Sequence, residues 1–485
     1  MTKRLSIVFL ALVVMLAFTM GLAAEGQKEA QDEQNAIDLI NWDAPKPAVE
    51  RLTGDKYVLP EGWDAATEGV DEIFYFNSGG MGGDPATARN IELFEEMTGI
   101  TVKWAEVSSE ILFQKTLNVL VSKDKSVHGM SLDSGPYQLE QIIGAGWAEP
   151  MPFWTDEVKA AYPDSIVPTL TGDDGKGYAT VDTMRAYVFY YRPSWLEAAG
   201  VEKVPETWME VREAAKKCND WAKENLGQDY YGIVFPAKSY NLLHMLQPGI
   251  YSQGARVIQD GAPNYNTPEG RNSWEYWTGL VRDGIAPEAV LGWTWNDYQN
   301  VFSRGKSAMM LGFTTWVNVC ADPEKAPAMQ EDVFGEPAEG PIGKGDWAVI
   351  QPPKWDASEP DSNRSAFIDF DAFMVNPFAD PAQKAAMLLF SEFRMSKQAM
   401  ANELILEGNE AFYPGTYKDP KVQEQIMWAE PRSKSVATTV MESFPPGAMK
   451  ANDVLIEYFG RAAIGEIDPL EALEKAQSEI DGIYQ

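Results

Sequence analysis

Two histidines and two cysteines in 485 residues leave almost nothing from which to build a soft-ligand metal centre. With only His128, His244, Cys218 and Cys320 available, no HExxH or CxxC spacing exists, so a metal would have to be held by carboxylates, and no metal or other cofactor is expected. Cations are scarce as well. Forty Lys and Arg stand against 72 Asp and Glu, a net charge of -32, whose field repels phosphate backbones and anionic lipid and excludes a nucleic-acid binder. No GxSxG nucleophile elbow is present. Gly305-Lys306-Ser307 is not a phosphate loop, because the glycine required five residues before Gly305 is replaced by Asn300. A dinucleotide frame started at Gly80 likewise fails, meeting Pro85 in its last place. No catalytic residue is therefore assigned.

After the first 24 residues no apolar run is long enough to span a bilayer. Those 24 have the form of a cleavable secretory signal: Lys3 and Arg4, an apolar run from Leu5 to Met20, then Gly21, Leu22, Ala23 and Ala24. No cysteine near the cut offers a lipid attachment point. Loss of the signal leaves 38 basic residues against 72 acidic, a net charge of -34. In an oxidising compartment Cys218 and Cys320 are able to pair. Cys218 also lies on a helical face with Trp208, Val211, Ala215 and Ala222, where packing as a small hydrophobe explains it equally well.

Residues 25–71 read as an acidic tether followed by an irregular extension. The core begins at Glu72. Ile73 to Phe76 is apolar at every position, as in a parallel strand covered on both faces. Asp84-Pro85 then opens a helix striped by Ile91, Phe94 and Met97 and stopped by Gly99, and Ile100, Val102 and Trp104 alternate as a second strand. Arg185 to Tyr191 is another strand, Pro193 to Ala199 a short helix, and Thr207-x-x-Glu210 a capping box for a helix reaching about Asn225. Asp380-Pro381, Asp419-Pro420 and Asp468-Pro469 repeat the helix-opening device. Strands alternating with helices indicate an α/β chain, and its length asks for two lobes.

The residues that stand out for binding are aromatic and polar. With 16 Trp, 19 Tyr and 21 Phe beside many Asp and Asn, the composition suits a cleft in which rings stack on sugar faces and polar groups bond hydroxyls. The Ser78–Gly83 loop, between a strand and a helix, is placed either to line a ligand or to serve as a plain tight turn. His244, within Leu242-Leu243-His244-Met245-Leu246, reads as a packed core or rim histidine.

Five segments, in order, resemble the family 1 extracellular solute-binding proteins of ABC importers, the maltose-binding-protein-like group. They are Ile91 to Ile100; Gly177-Tyr178 with Tyr190-Tyr191 and Pro205-Glu206-Thr207-Trp208; Asn266 to Gly270; Phe302 to Met310, which explains the false phosphate loop; and Gly465 to Pro469 with Glu471-Ala472-Leu473. The resemblance implies a class II periplasmic-binding fold, two α/β lobes joined by chain crossings around a central ligand cleft. It puts residues 72–180 plus 370–412 in one lobe and 181–369 plus 413–485 in the other, with crossings near Tyr178 to Met184 and Phe367 to Asp371. Ligand contacts carried over by motif are Asn77, Ser78, Asp133, Tyr240 and Trp316. Arg185 and Lys238 depart from the pattern, standing where relatives carry acids, and would favour an anionic sugar unless Arg185 pairs with a neighbour such as Asp182. The implied protein is a periplasmic monomer that delivers a sugar or oligosaccharide to permease subunits. A receptor for a polyol or glycerol-phosphate derivative, and a secreted glycan hydrolase, are the alternatives.

Overall fold

The computed structural model describes residues 36–79, 85–133, 135–358, 364–365 and 367–485. The signal segment, the tether to residue 35 and most of the glycine-rich loop, residues 80–84, lie outside them. Eight strands carry the fold: β1 (Glu72–Gly79), β2 (Thr101–Ser108), β3 (Gly129–Leu132), β4 (Thr180–Tyr191), β5 (Tyr231–Val234), β6 (Ser307–Phe313), β7 (Ala348–Ile350) and β8 (Ile368–Val375). They run in the order β2-β1-β3-β8-β4-β6-β5, with β7 also on β4. β1 is parallel to β2 and β3, and β5 is parallel to β6, as βαβ connections require. β4 and β8 are antiparallel to each other and join the two halves.

The local signals that open the helices act as their chemistry dictates. Helices begin at Pro85, Pro193, Pro381, Pro420 and Pro469, where a missing N–H costs nothing. Thr207 and Glu210 form the reciprocal capping box of Trp208–Asn225. Trp104 departs from the expected inward alternation and is 38% exposed, since β2 is an edge strand with one face outward.

Two large apolar clusters divide the chain. The first gathers β1 to β3, Met184 and Ala186 of β4, β8, and helix Pro381–Arg394, and draws in residues through Val436. The second gathers Tyr187, Phe189 and Tyr191 of β4 with helices Trp208–Asn225, Pro268–Arg282, Ala448–Ala463 and Pro469–Asp481. A third, smaller one forms around Tyr190, Tyr298, Phe302 and Trp316. The extension is more ordered than its sequence implies. Its helices Ala48–Thr53 and Trp63–Ala66 and the segment between them seat Leu52, Ala66 and Tyr57 in the first cluster, and Arg51 forms a fully buried ion pair with Glu392.

Cys218 and Cys320 are both free, fully buried, and in different clusters. Burial pushes the Cys218 thiol up to about 12 and raises that of Cys320 too. Neither is expected to react with a thiol-exchange reagent at pH 8 until the protein is unfolded, when two thiols should titrate. A count of zero after unfolding would reveal a disulfide instead.

Candidate functional site

The antiparallel pairing of β4 with β8 places the chemistry. Arg185 lies opposite Asp369, and Thr183 opposite Asp371. Side chains two apart on a strand share a face, so these four project from one side of the ribbon while Met184, Ala186, Ile368 and Phe370 project from the other into the first cluster. β8 also pairs with β3, Ala372 against Leu132, which sets Asp133 beside Asp371 at the C-terminal end of a parallel strand. Asn77, buried, and Ser78, half-buried, lie near the C-terminal end of β1, the strand next to β3.

Arg185 Nη2 donates to Asp371 Oδ2 at 2.8 Å and to Thr183 Oγ1 at 2.9 Å, and Nη1 donates to Asp369 Oδ2 at 3.1 Å. Asp371 also accepts from the Thr183 hydroxyl at 3.0 Å. Burial lowers the guanidinium's proton affinity, but the charges of Asp371 and Asp369 outweigh it and hold Arg185 charged. Burial pushes Asp369 up to about 6, Arg185 opposing and Asp371 reinforcing. Asp133 is raised well above the carboxylate range by burial and by Asp371 and Asp369, with Arg185 and Tyr240 only partly offsetting them.

The second half of the molecule closes over this group. Tyr240, in the turn Ser239–Leu242, donates its hydroxyl to Asp133 Oδ2 at 3.0 Å. Tyr137, from helix Gly135–Gly144 whose Leu139 and Ile142 lie in the first cluster, crosses into the second. There it bonds Gln247 at 3.3 Å and packs on Phe444 at 4.7 Å. His244 is fully buried, its Nδ1 2.7 Å from the Tyr187 hydroxyl and its ring stacked on Phe367 at 4.2 Å. Burial, helped by Arg185, drops its pKa to about 3, so the imidazole is neutral. Its Nε2 has no partner among the described residues.

Asp133, Arg185 and Tyr240 thus come together, with Asn77 and Ser78 at the neighbouring strand end. Lys238 and Trp316 do not join them. Lys238 is exposed with no ion pair among the described residues, and Trp316 packs in the third cluster. The Arg185–Asp182 pair is not formed. One position's difference in strand parity sends Asp182 to the core face, where it engages Arg394 and the Ser131 hydroxyl. His244 is the packed histidine expected from the sequence, whereas Asp369, Asp371, Tyr137 and Gln247 were missed. Of these only the Asp369-x-Asp371 alternation carried a signal, two acids on one face of an otherwise apolar strand. Among the described residues no cluster of His, Cys, Asp and Glu is able to hold a metal ion, and no helix is long and apolar enough to cross a membrane.

Residues 91–426, more than half of the chain, match the family model described as bacterial extracellular solute-binding protein. The chain belongs to that family. Among curated relatives, putative binding proteins of Brucella abortus and Brucella suis are 27% identical to this solute-binding protein over 261 residues. The match covers 52% of this chain and 60% of each relative, so it spans less than two thirds of their length. Solved structures show the same fold across most of both chains. Maltose-bound MalE3 of T. maritima superposes with a TM-score of 0.70 at 19% identity, covering 85% of this chain and 99% of that one. A solute-binding protein of Agrobacterium radiobacter K84 in complex with ribitol gives 0.69 at 20%, covering 86% and 99%. One from Thermotoga lettingae TMO bound with α-D-tagatose gives 0.68 at 19%, covering 86% and 100%. The fold of this solute-binding protein is therefore the two-lobed α/β architecture of that group.

Proposed function

We propose that this protein is the substrate-binding component of an ABC importer, a periplasmic monomer that encloses a sugar, oligosaccharide or polyol between its lobes and delivers it intact to membrane permease subunits. The observation that carries the reading is the Tyr240–Asp133 bond. It joins the halves at the place where the β4/β8 ribbon presents its polar face, so a ligand held there touches both halves only when they are closed. Closure then follows from differential affinity for the closed form. On this reading the lobes meet near residues 180 and 370, and Asn77, Ser78, Asp133, Arg185 and Tyr240 border the ligand. Maltose, ribitol and tagatose in the similar structures support a polyhydroxylated ligand.

A glycerol-phosphate derivative is disfavoured, because Arg185 is already engaged by two carboxylates. Hydrolysis is disfavoured on the same ground: Asp369 and Asp371 share one guanidinium instead of flanking an open space for a glycosidic bond. The test is a thermal-shift screen of sugars, oligosaccharides and polyols, with each hit recovered and analysed. A ligand at a hundred times its dissociation constant adds about 2.7 kcal/mol, and it should return uncleaved. Cleaved product would replace the receptor by an enzyme.

Removing only the cross-cleft hydroxyl, Tyr240→Phe, is expected to weaken ligand-free closure by about 1 kcal/mol. The radius of gyration from solution scattering should rise without ligand and fall when ligand is added. No change in the ligand-free radius would show that this bond does not hold the halves together.

A further inference from the structure

The polar face of the hinge ribbon carries more negative charge than the protein itself neutralises. Asp133, Asp369 and Asp371 are each more than nine-tenths buried, and the one cation among them, Arg185, spends its described hydrogen bonds on Asp369, Asp371 and Thr183. The remaining oxygens, Asp369 Oδ1 and Asp371 Oδ1, are buried with no hydrogen-bond partner among the described residues. A buried carboxylate oxygen without a donor is costly, and Asp369 and Asp371 share a single guanidinium, so the pair keeps two unmet acceptors and more negative charge than Arg185 cancels. Independently, Nε2 of the neutral His244, whose ring lies 5.5 Å from that of Tyr240, is also buried without a partner.

We infer that the cleft selects a polyhydroxylated ligand bearing an ammonium group, an amino sugar or amino polyol, and rejects the corresponding acid. This rests on the receptor reading above and specifies the charge of its ligand. An ammonium supplies three donors and one positive charge, and suits the two open carboxylate oxygens better than a hydroxyl, which brings a single donor and no charge. A carboxylated or phosphorylated sugar would face Asp133, Asp369 and Asp371, and Arg185, the cation that the described residues place beside them, is already engaged. The cationic pair formed by Arg185 and Lys238, expected to favour acidic sugars, is therefore not assembled. Arg185 is consumed, and Lys238 stands exposed elsewhere.

Calorimetric titration with matched triplets decides this: D-glucose, D-glucosamine and D-glucuronate, and D-sorbitol, D-glucamine and D-gluconate. The amine of a triplet should bind at least about tenfold tighter than its neutral partner, with the acid weakest. Asp371→Asn should shrink that ratio to less than about threefold, and if the variant does not fold, Asp133→Asn carries the same test. Binding of a neutral or acidic member as tightly as its amine would overturn the charge inference while leaving the receptor standing. Failure of every member, together with failure of the oligosaccharide and polyol screen, would overturn both.

Discussion

Glu392→Ala is expected to destabilise the protein by about 3 to 5 kcal/mol, although residue 392 lies far from the cleft. Glu392 is fully buried in helix Pro381–Arg394 and accepts from Arg51 and, at 2.7 Å, from the Tyr57 hydroxyl. Arg51 spends further donors on the carbonyls of Trp42 and Lys46, the latter at 2.6 Å. Both partners of Glu392 belong to the N-terminal extension. The substitution therefore strands a guanidinium in the first cluster and unfastens the segment that covers it. Urea denaturation reads the loss as a lowered midpoint. Arg51→Met combined with Glu392→Leu should recover most of it, because two apolar chains of similar volume leave no uncompensated charge. A single-substitution cost under about 1 kcal/mol would mean that the pair is hydrated in solution and the extension loosely held.

Arg185→Met should cost a comparable amount at pH 7.5, about 3 to 5 kcal/mol, and distinctly less at pH 5. The sign follows from the carboxyls it leaves behind. Asp369 titrates at about 6 in the folded protein, above the roughly 3.9 of an unfolded chain, because burial disfavours its charge. A raised acid pKa means that the folded state binds its proton more tightly. The resulting penalty is complete above pH 6, recedes as pH falls through 6, and is gone below the unfolded value. In the unaltered protein this one group makes acidification from pH 7.5 to 5 stabilising by about 1.4 kcal/mol, the rest of the relief coming only below pH 5. Without Arg185 its pKa climbs further, as does that of Asp133, so acid relieves the variant more. Melting temperatures of both proteins at the two pH values provide the check. A variant equally impaired at both would show that Arg185 acts by packing and not by charge.

Much of the scaffold was legible because its signals are local. Thr207 and Glu210 are three residues apart, each Asp-Pro helix start is two residues long, and the apolar run at Ile73 needs no distant partner to be a strand. The site was legible only in part. Asp133 and Tyr240 were reached through family resemblance, but the carboxylates that define Arg185 lie 184 and 186 residues away, and only the β4/β8 register brings them opposite. One error was avoidable: a period of two already forbids Asp182 and Arg185 from sharing a face. The extension's order was not readable. Its anchors, Arg51 and Tyr57, look like ordinary surface residues until Glu392, 341 and 335 positions on, is folded against them.

β4 belongs to both halves at once, pairing with β8 through Thr180 to Ala186 and with β6 through Tyr187 to Tyr191. A connection of that kind bends differently from a pair of flexible loops. The opening proposed above would therefore twist a continuous ribbon instead of bending two separate loops. Beside Asp371 the ribbon changes register, between Asp371 and Ala372, and a bulge is where such a ribbon gives most easily. That irregularity sits next to a carboxylate that Arg185 grips, so on the proposed reading a ligand in the cleft would bear on the part of the frame most ready to twist.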